Sequence, residues 1–228
     1  MLADTYYPGW TATADYMAAT IHRRAVRPAV FLDRDGVLDR PFVTAEGERP
    51  PWSLDELAIV PEAPAALARL RAGGFVLVVV TNQPDVGRGQ LARAVADAIN
   101  ERVRTTLGLD AVYTCFHSGH DPCSCRKPAP GLVITAAADL GLDLATSWLV
   151  GDRWVDVAAG QAAGVATILV ERRGSWSPTA AGAPPPGIAP TAVAGGIGEA
   201  ATIILGRSDL TPRSVPGEGA PCGPRSSS

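Results

Sequence analysis

The chain has 228 residues, of which 46% are hydrophobic and 19% are charged, which is enough for one domain with a sizeable core. Its formal net charge of -3 comes without basic runs, so no nucleic-acid partner is predicted. No apolar stretch approaches the roughly 20 residues of a membrane-spanning helix, and the N-terminus lacks the layout of a secretory signal. We expect a cytoplasmic monomer that binds neither nucleic acid nor membrane.

Short apolar segments alternate with amphipathic ones from residue 28 onward. Strands are predicted, in chain order, at residues 29–33, 75–82, 111–115, 147–152 and 165–170. Helices are predicted between and after these strands, at residues 61–74, 89–108, 130–141, 155–164 and 197–205. This alternation indicates βαβ units, so the predicted fold class is α/β with a doubly wound parallel sheet. Ligands of such sheets bind at the carboxyl ends of the strands.

The alternating pattern defines three regions of the chain. Residues 1–27 are predicted to be an N-terminal extension, residues 28–206 the folded domain, and residues 207–228 a disordered tail that is poor in apolar residues. No long insertion separates the motif-bearing segments of the domain. We therefore expect no separate cap domain over the site.

Two aspartates, Asp33 and Asp35, lie at the end of the first predicted strand. Residues two apart in an extended chain point to the same side, so both carboxylates can face one ligand. Asp33 is suited to attack phosphorus, and Asp35 to protonate the leaving alcohol and then to activate water. Two aspartates at this spacing are, by themselves, more often a solvated turn, so the other strand ends must decide.

Two further polar groups follow in the sequence. Thr81, Asn82 and Gln83 end the second predicted strand, where a hydroxyl and backbone N–H groups can hold phosphate oxygens. Arg126 and Lys127 precede a helix. A lysine there can neutralise the charge that builds on a phosphoryl group, and an arginine can bind a substrate oxygen.

A third group ends the fourth predicted strand. Asp152 supplies another carboxylate at the same sheet edge, and oxygen ligands of this kind are those that magnesium prefers. Asp156, four residues later, is expected to cap the next helix or to support the site. A nucleophile, an acid/base, a cation and metal ligands at one edge are the parts that phosphoryl transfer requires.

Three of the four cysteines lie close together in one short segment with a histidine. Cys115, His117, Cys123 and Cys125 form a set of three thiolates and one imidazole that suits a closed tetrahedral zinc site. His120 lies between the two pairs and is a competing ligand, although its spacing fits less well and we expect it to be exposed. A secreted disulfide scaffold would spread its cysteines along a smaller chain.

Four segments together resemble a known family. FLDRDGVLD, VVVTNQPDVGRG, CRKPAPG and VGDRWVDVAAGQAAG are similar to the four ordered motifs of the haloacid dehalogenase superfamily. Within it, they most resemble the subgroup that contains heptose bisphosphate and histidinol-phosphate phosphatases. The resemblance covers about residues 28–172 and implies a Rossmann-like fold and a phosphatase activity.

The resemblance implies specific roles for the strand-end residues. Asp33 would be the nucleophile and Asp35 the general acid/base, and Thr81 and Lys127 would steady the transferring phosphoryl group. Mg²⁺ would be held by Asp33, by the backbone carbonyl of Asp35 and by Asp152.

The resemblance also implies substrate contacts and a second metal. Arg34, Arg126 and Arg153 would bind the substrate, and Asn82 and Gln83 would line the same pocket. A structural Zn²⁺ would be held by the Cys3His set named above. It would fix the loop that delivers the two basic residues following its last ligand.

The substrate expected from the sequence is a sugar phosphate. The best candidate is D-glycero-D-manno-heptose 1,7-bisphosphate with removal of the 7-phosphate, since CRKPAPG resembles the heptose type. Pro84 and Asp85, however, stand where small residues are expected in the heptose enzymes. The short zinc loop resembles histidinol-phosphate phosphatase instead, which is the first alternative. A non-hydrolytic phosphate-binding or regulatory module and a phosphotransferase with another acceptor also remain open.

Overall fold

The computed structural model describes residues 26–45, 47–119 and 121–207, and a six-stranded parallel sheet forms their centre. The strands are β1 (Ala29–Leu32), β2 (Asp39–Arg40), β3 (Phe42–Thr44), β4 (Gly47–Arg49), β5 (Ala58–Ile59), β6 (Val76–Asn82), β7 (Ala111–Cys115), β8 (Trp148–Gly151), β9 (Ala166–Val170) and β10 (Ala192–Ala194). The order in the main sheet is β10-β9-β8-β1-β6-β7, and every neighbouring pair is parallel. The predicted doubly wound α/β fold class is confirmed.

Helices cover both faces of this sheet. They are α1 (Ala63–Ala72), α2 (Pro84–Gly87), α3 (Arg93–Leu107), α4 (Gly131–Leu140), α5 (Trp154–Ala163) and α6 (Ile197–Gly206). One apolar cluster joins β1, β6 and β8 to α1, α3 and α6, and a second joins the same strands to α4 and the end of α5. The central position of β1 between β6 and β8 explains why all four of its residues are buried.

The register of β1 brings the site residues together. Ala29 pairs with Val76 in β6, and Val30 pairs with Trp148 in β8, so the three strands end at the same edge of the sheet. The residues that follow them therefore meet there, as the alternation of strands and helices predicts.

Several short elements have no counterpart in the sequence-based expectation. Between β1 and α1 the chain forms two antiparallel pairs, β2 with β5 and β3 with β4, each with strands of two or three residues. Strands this short carry no readable apolar alternation. β10 also went unpredicted because it lies in a segment rich in proline, alanine and glycine. The short pairs do not form a separate domain, as expected.

Some expectations concern residues outside the described ranges. Most of the predicted extension (residues 1–27) and of the predicted disordered tail (residues 207–228) belongs to this group, as does His120. The domain boundaries and the monomeric state stay predictions. Within the described ranges, no helix is long and apolar enough to cross a membrane.

Candidate active site

Asp33 lies at the end of β1 and is fixed by three hydrogen bonds. Its backbone N–H donates to the carbonyl of Val150 in β8 over 2.9 Å. Its Oδ1 accepts from the backbone N–H of Arg34 over 2.8 Å and contacts the ammonium group of Lys127 at 2.9 Å. Because both side-chain contacts reach the same oxygen, they define the orientation of the carboxylate.

The Lys127 side chain is buried and has an acceptor for each of its three N–H donors. Nζ lies 2.9 Å from Asp33 Oδ1, 2.6 Å from Asp156 Oδ1 and 2.9 Å from the carbonyl oxygen of Val80. Burial alone would lower the pKa of Lys127, but the carboxylates of Asp156 and Asp33 outweigh it and raise this pKa above its usual value. Lys127 therefore keeps its positive charge in the folded protein.

Asn82 at the end of β6 fixes the main chain of Lys127. Its Nδ2 donates to the Lys127 carbonyl over 3.1 Å, and its Oδ1 accepts from the Lys127 N–H over 3.1 Å. This amide clamp ties the segment after the cysteine cluster to the sheet. The main-chain position of Lys127 is thus fixed as well as the partners of its ammonium group.

Three carboxylates meet around Lys127. One oxygen each from Asp33, Asp152 and Asp156 lies within 4.8 Å of the others, a geometry that suits a metal ion. Burial raises the pKa of Asp33 to about 7 and that of Asp152 to about 8, so these two acids gain from added positive charge. Hard oxygen donors of this kind fit Mg²⁺. Asp156 also accepts a hydrogen bond from the N–H of Arg153 over 3.0 Å at the start of α5, as expected for a helix cap.

Glycine is required where two of these carboxylates approach the backbone. Gly36 has a φ of +85°, and a Cβ there would overlap the carboxylate of Asp152. A Cβ at Gly151 would likewise overlap the side chain of Asp156. Both glycines therefore allow the carboxylates to pack directly against the main chain.

The Asp35 carboxylate accepts hydrogen bonds from two buried side chains. Arg34 Nη2 donates to Asp35 Oδ1 over 2.9 Å, and Gln83 Nε2 donates to Asp35 Oδ2 over 2.6 Å. Gln83 Nε2 also donates to the hydroxyl of Thr81 over 3.0 Å. Arg34 and Thr81 are 0% exposed and Gln83 is 1% exposed. Both side chains are therefore engaged inside the fold, and the contacts of Arg34 and Gln83 with the substrate stay predictions.

The carboxylates open into a cavity of about 390 Å³. Asn82, Arg126 and Arg153 line it, and their contacts with a substrate stay predictions. Its basic lining residues are Arg49, Arg88, Arg126, Lys127, Arg153, Arg172 and Arg173. Four of them were not predicted from the sequence. Arg172 and Arg173 follow β9 and were detectable from the rule that strand ends carry the site, whereas Arg49 and Arg88 carry no such signal.

One wall of the cavity is built around the buried carboxylate of Asp85. Trp52 Nε1 donates to Asp85 Oδ2 over 2.7 Å, and Arg88 forms an ion pair with the same carboxylate. Arg49 stacks over the Trp52 ring at 4.3 Å and binds Glu56 through two hydrogen bonds. Asp85 therefore ties the segment after β4 to α2, which accounts for an acid at this position.

The four predicted zinc ligands lie together beside this cavity. Ligand atoms of Cys115, His117, Cys123 and Cys125 are all within 4.8 Å of one another. Cys125 Sγ is 3.2 Å from Cys115 Sγ and 3.3 Å from His117 Nδ1. Three sulfurs and one imidazole nitrogen at such distances fit a tetrahedral Zn²⁺ site. Arg126, the next residue, donates to the His117 carbonyl over 3.3 Å.

Comparison with protein families and curated proteins gives consistent matches. The model of the haloacid dehalogenase-like hydrolase family matches residues 5–161, and a second, HAD-hydrolase-like model matches residues 124–200. D-glycero-β-D-manno-heptose-1,7-bisphosphate 7-phosphatase of Escherichia coli K12 is 34% identical over 161 residues, which cover 64% of this chain and 80% of that protein. The protein of the same name from Vibrio cholerae is 36% identical over 162 residues, 65% of this chain and 83% of that protein.

Solved structures agree with these matches. D,D-heptose 1,7-bisphosphate phosphatase from B. bronchiseptica, complexed with magnesium and phosphate, has a TM-score of 0.66 and 31% identity. The match covers 79% of this chain and 99% of that chain. A HAD-like phosphatase from Mesorhizobium loti has a TM-score of 0.62 and 30% identity, over 79% of this chain and 87% of that chain.

The buried Asp39 generates a test of the electrostatics behind the site. It lies 3.5 Å from Arg34 Nε, and burial raises its pKa from 3.8 to about 9. In the folded protein the Asp39 carboxyl group therefore keeps its proton up to about pH 9, whereas in the unfolded chain it loses this proton above about pH 3.8. The stability due to this group is complete below the unfolded-state value and is lost as the pH rises toward the folded-state value.

Asp39→Asn is expected to remove this dependence because its amide does not titrate. In urea unfolding from about pH 5 to about pH 8, the unfolding free energy of the variant should rise relative to that of the unmodified protein by up to about 1.4 kcal/mol per pH unit. A difference in unfolding free energy that stays constant over this range would contradict the assignment.

Proposed function

The chain belongs to the haloacid dehalogenase-like hydrolase family and is a phosphatase, and from this premise we propose that it hydrolyses its substrate through an aspartyl-phosphate at Asp33. One observation carries the proposal. The ammonium group of Lys127 bridges Asp33 and Asp156 beside Asp152, at the strand ends and inside a cavity. A nucleophile, a fixed cation and a set of metal-suited carboxylates there match the requirements of phosphoryl transfer.

The proposed reaction has two steps. In the first, a carboxylate oxygen of Asp33 attacks phosphorus, the bond to the leaving alcohol breaks, and the carboxyl group of Asp35 gives its proton to that oxygen. In the second step, Asp35 takes a proton from a water molecule while the oxygen of that water attacks the phosphorus of the aspartyl-phosphate. Inorganic phosphate leaves, and the Asp33 carboxylate is restored.

Charge neutralisation is assigned to Lys127 and to a metal. Lys127 stands beside the nucleophilic carboxylate, so its charge is available to the phosphoryl oxygens without reorganisation. We propose that Asp33, Asp152 and the backbone carbonyl of Asp35 hold Mg²⁺, which would supply positive charge to the transferring phosphoryl group. The Thr81 hydroxyl accepts from Gln83, and we assign it a supporting part in this arrangement.

The proposed substrate is a sugar bisphosphate, with D-glycero-D-manno-heptose 1,7-bisphosphate and its 7-phosphate as the best candidate. Support comes from the heptose bisphosphate phosphatases among the relatives and from the arginines that line the cavity beyond the carboxylates. Arg126 and Arg153 are the proposed substrate contacts, joined by Arg172. The names of the relatives give no support to a non-hydrolytic module.

Histidinol phosphate is the second candidate because one observation favours it. Only five residues separate His117 from Cys123, the short loop expected of histidinol-phosphate phosphatases. A single substrate comparison separates the two candidates.

Phosphate release should be measured in parallel, in magnesium buffer, from both anomers of heptose 1,7-bisphosphate and from histidinol phosphate. We expect kcat/KM to be at least about a hundredfold higher for one heptose anomer than for the other substrates, since polar groups of a site that bind a substrate can discriminate by this factor or more. Asp33→Asn serves as the control and should lower turnover by at least about a thousandfold, since it removes the nucleophile. A clear preference for histidinol phosphate would contradict the heptose assignment.

We further propose that the Cys3His cluster holds a structural Zn²⁺. Cys115 ends β7, and Cys125 directly precedes Arg126 and Lys127. A metal that joins these cysteines would fix the segment that carries both basic residues. Its effect on catalysis would act through the position of the Lys127 ammonium.

The loop provides its own test. Cys125→Ser is expected to lose the bound zinc and to lower kcat by about tenfold, because its loop is no longer anchored. Cys222→Ser, which replaces the cysteine near the C-terminal end, is the matched control and should keep the bound zinc and the kcat. Elemental analysis and turnover are the measurements, and a zinc-free chain that is folded and fully active would overturn the proposal.

A further inference from the structure

A chain of side-chain hydrogen bonds, buried at Arg34 and Asn100, connects Asp35 to helix α3 and strand β7. Arg34 Nη2 and Nε donate to Asp35 Oδ1 over 2.9 and 3.3 Å, and Arg34 Nη1 donates to Asn100 Oδ1 over 2.7 Å. Asn100 Nδ2 in turn donates to the hydroxyl of Thr114 in β7 over 3.0 Å. The chain crosses from the loop after β1 to elements far along the sequence.

We propose that Arg34, held by Asn100, is a positioning residue that orients the Asp35 carboxyl group for proton transfer. This inference rests on the proposed function, in which Asp35 is the general acid and base. It assigns Arg34 a role other than the predicted contact with the substrate. The Arg34 side chain is 0% exposed, so its guanidinium acts through its neighbour.

The number of hydrogen bonds to Asp35 matches this purpose. A carboxylate offers about four lone-pair sites. Arg34 takes two on Oδ1, and Gln83 takes one on Oδ2 over 2.6 Å. The position that remains is available for the transferable proton. Because the Asp35 side chain is 18% exposed, solvent reaches the carboxyl group while its orientation is set from the protein side.

Asn100 is the residue that makes Arg34 rigid. A guanidinium is a planar fork, so fixing one of its nitrogens limits the rotation of the others. Asn100 is 6% exposed and is itself held by Thr114, which prevents its amide from turning away. Asp39, 3.5 Å from Arg34 Nε, lies on the remaining side. Loss of Asn100 would leave Nη1 of Arg34 buried without this acceptor.

The proposal predicts a dependence on the leaving group. In the first step the proton moves from Asp35 to the bridging oxygen as the bond from phosphorus to that oxygen breaks. A sugar alkoxide needs this proton, whereas p-nitrophenolate is stable enough to leave without it. A badly oriented Asp35 should therefore impair the sugar phosphate reaction selectively.

The experiment compares kcat/KM for a sugar phosphate and for p-nitrophenyl phosphate in three variants. Asn100→Leu, which removes the acceptor at similar volume, is expected to lose about tenfold or more on the sugar phosphate and less than about threefold on p-nitrophenyl phosphate. Asn100→Asp keeps an oxygen for Arg34 and should restore the sugar phosphate activity. Asp35→Asn should show the largest selectivity of all.

Each outcome bears on the inference. Suppose that Asp35→Asn loses more kcat/KM on the sugar phosphate than on p-nitrophenyl phosphate. Then an Asn100→Leu variant that loses kcat/KM equally on both substrates, or on neither, would overturn the positioning role. If Asp35→Asn itself showed no selectivity, the acid role in the proposed function would fail, and the inference with it. Thr114→Val, at the outer end of the chain, provides the same comparison if Asn100→Leu does not fold.

Discussion

The buried ammonium of Lys127 is the interaction on which the site depends. Removing an ammonium group from water costs several kcal/mol, and only good geometry and complete hydrogen bonding offset this cost. Lys127 has both, with Asp33, Asp156 and the Val80 carbonyl as acceptors. The three acceptors come from the end of β1, the start of α5 and the strand β6. The buried charge of Lys127 therefore depends on the convergence of these three elements at one sheet edge.

The rest of the site follows from that requirement. The main chain of Lys127 must be held in place, and Asn82 holds it through two hydrogen bonds. The zinc proposed for the cysteine cluster would hold the same segment from a second direction. The carboxylates must approach closely, and Gly36 makes room for Asp152. Burial, reinforced by the neighbouring carboxylates, raises the pKa values of Asp33 and Asp152, which is the electrostatic reason that a divalent cation suits this cluster.

Much of this arrangement could be predicted from the sequence because it follows from two rules. Apolar runs mark buried parallel strands, and the residues after such strands share one edge; both rules worked for β1, β6 and β8. They do not say which way a side chain points. Arg34 and Gln83 stand in the correct motifs yet face inward, since burial depends on partners such as Asn100 that lie distant in the chain. Arg49 reaches the cavity through tertiary contacts alone, and β10 is too short to leave a pattern.

Chemical trapping of the phosphorylated residue tests the central claim most directly. The chain, and an Asp35→Asn variant that should hydrolyse the intermediate slowly, would be quenched in acid during turnover of p-nitrophenyl phosphate in magnesium buffer. Borohydride reduces an acyl phosphate to an alcohol, so peptide mass spectrometry should find homoserine in place of Asp33, with more of it in the variant. Phosphate on another residue, or turnover in both proteins with Asp33 unchanged, would contradict the account.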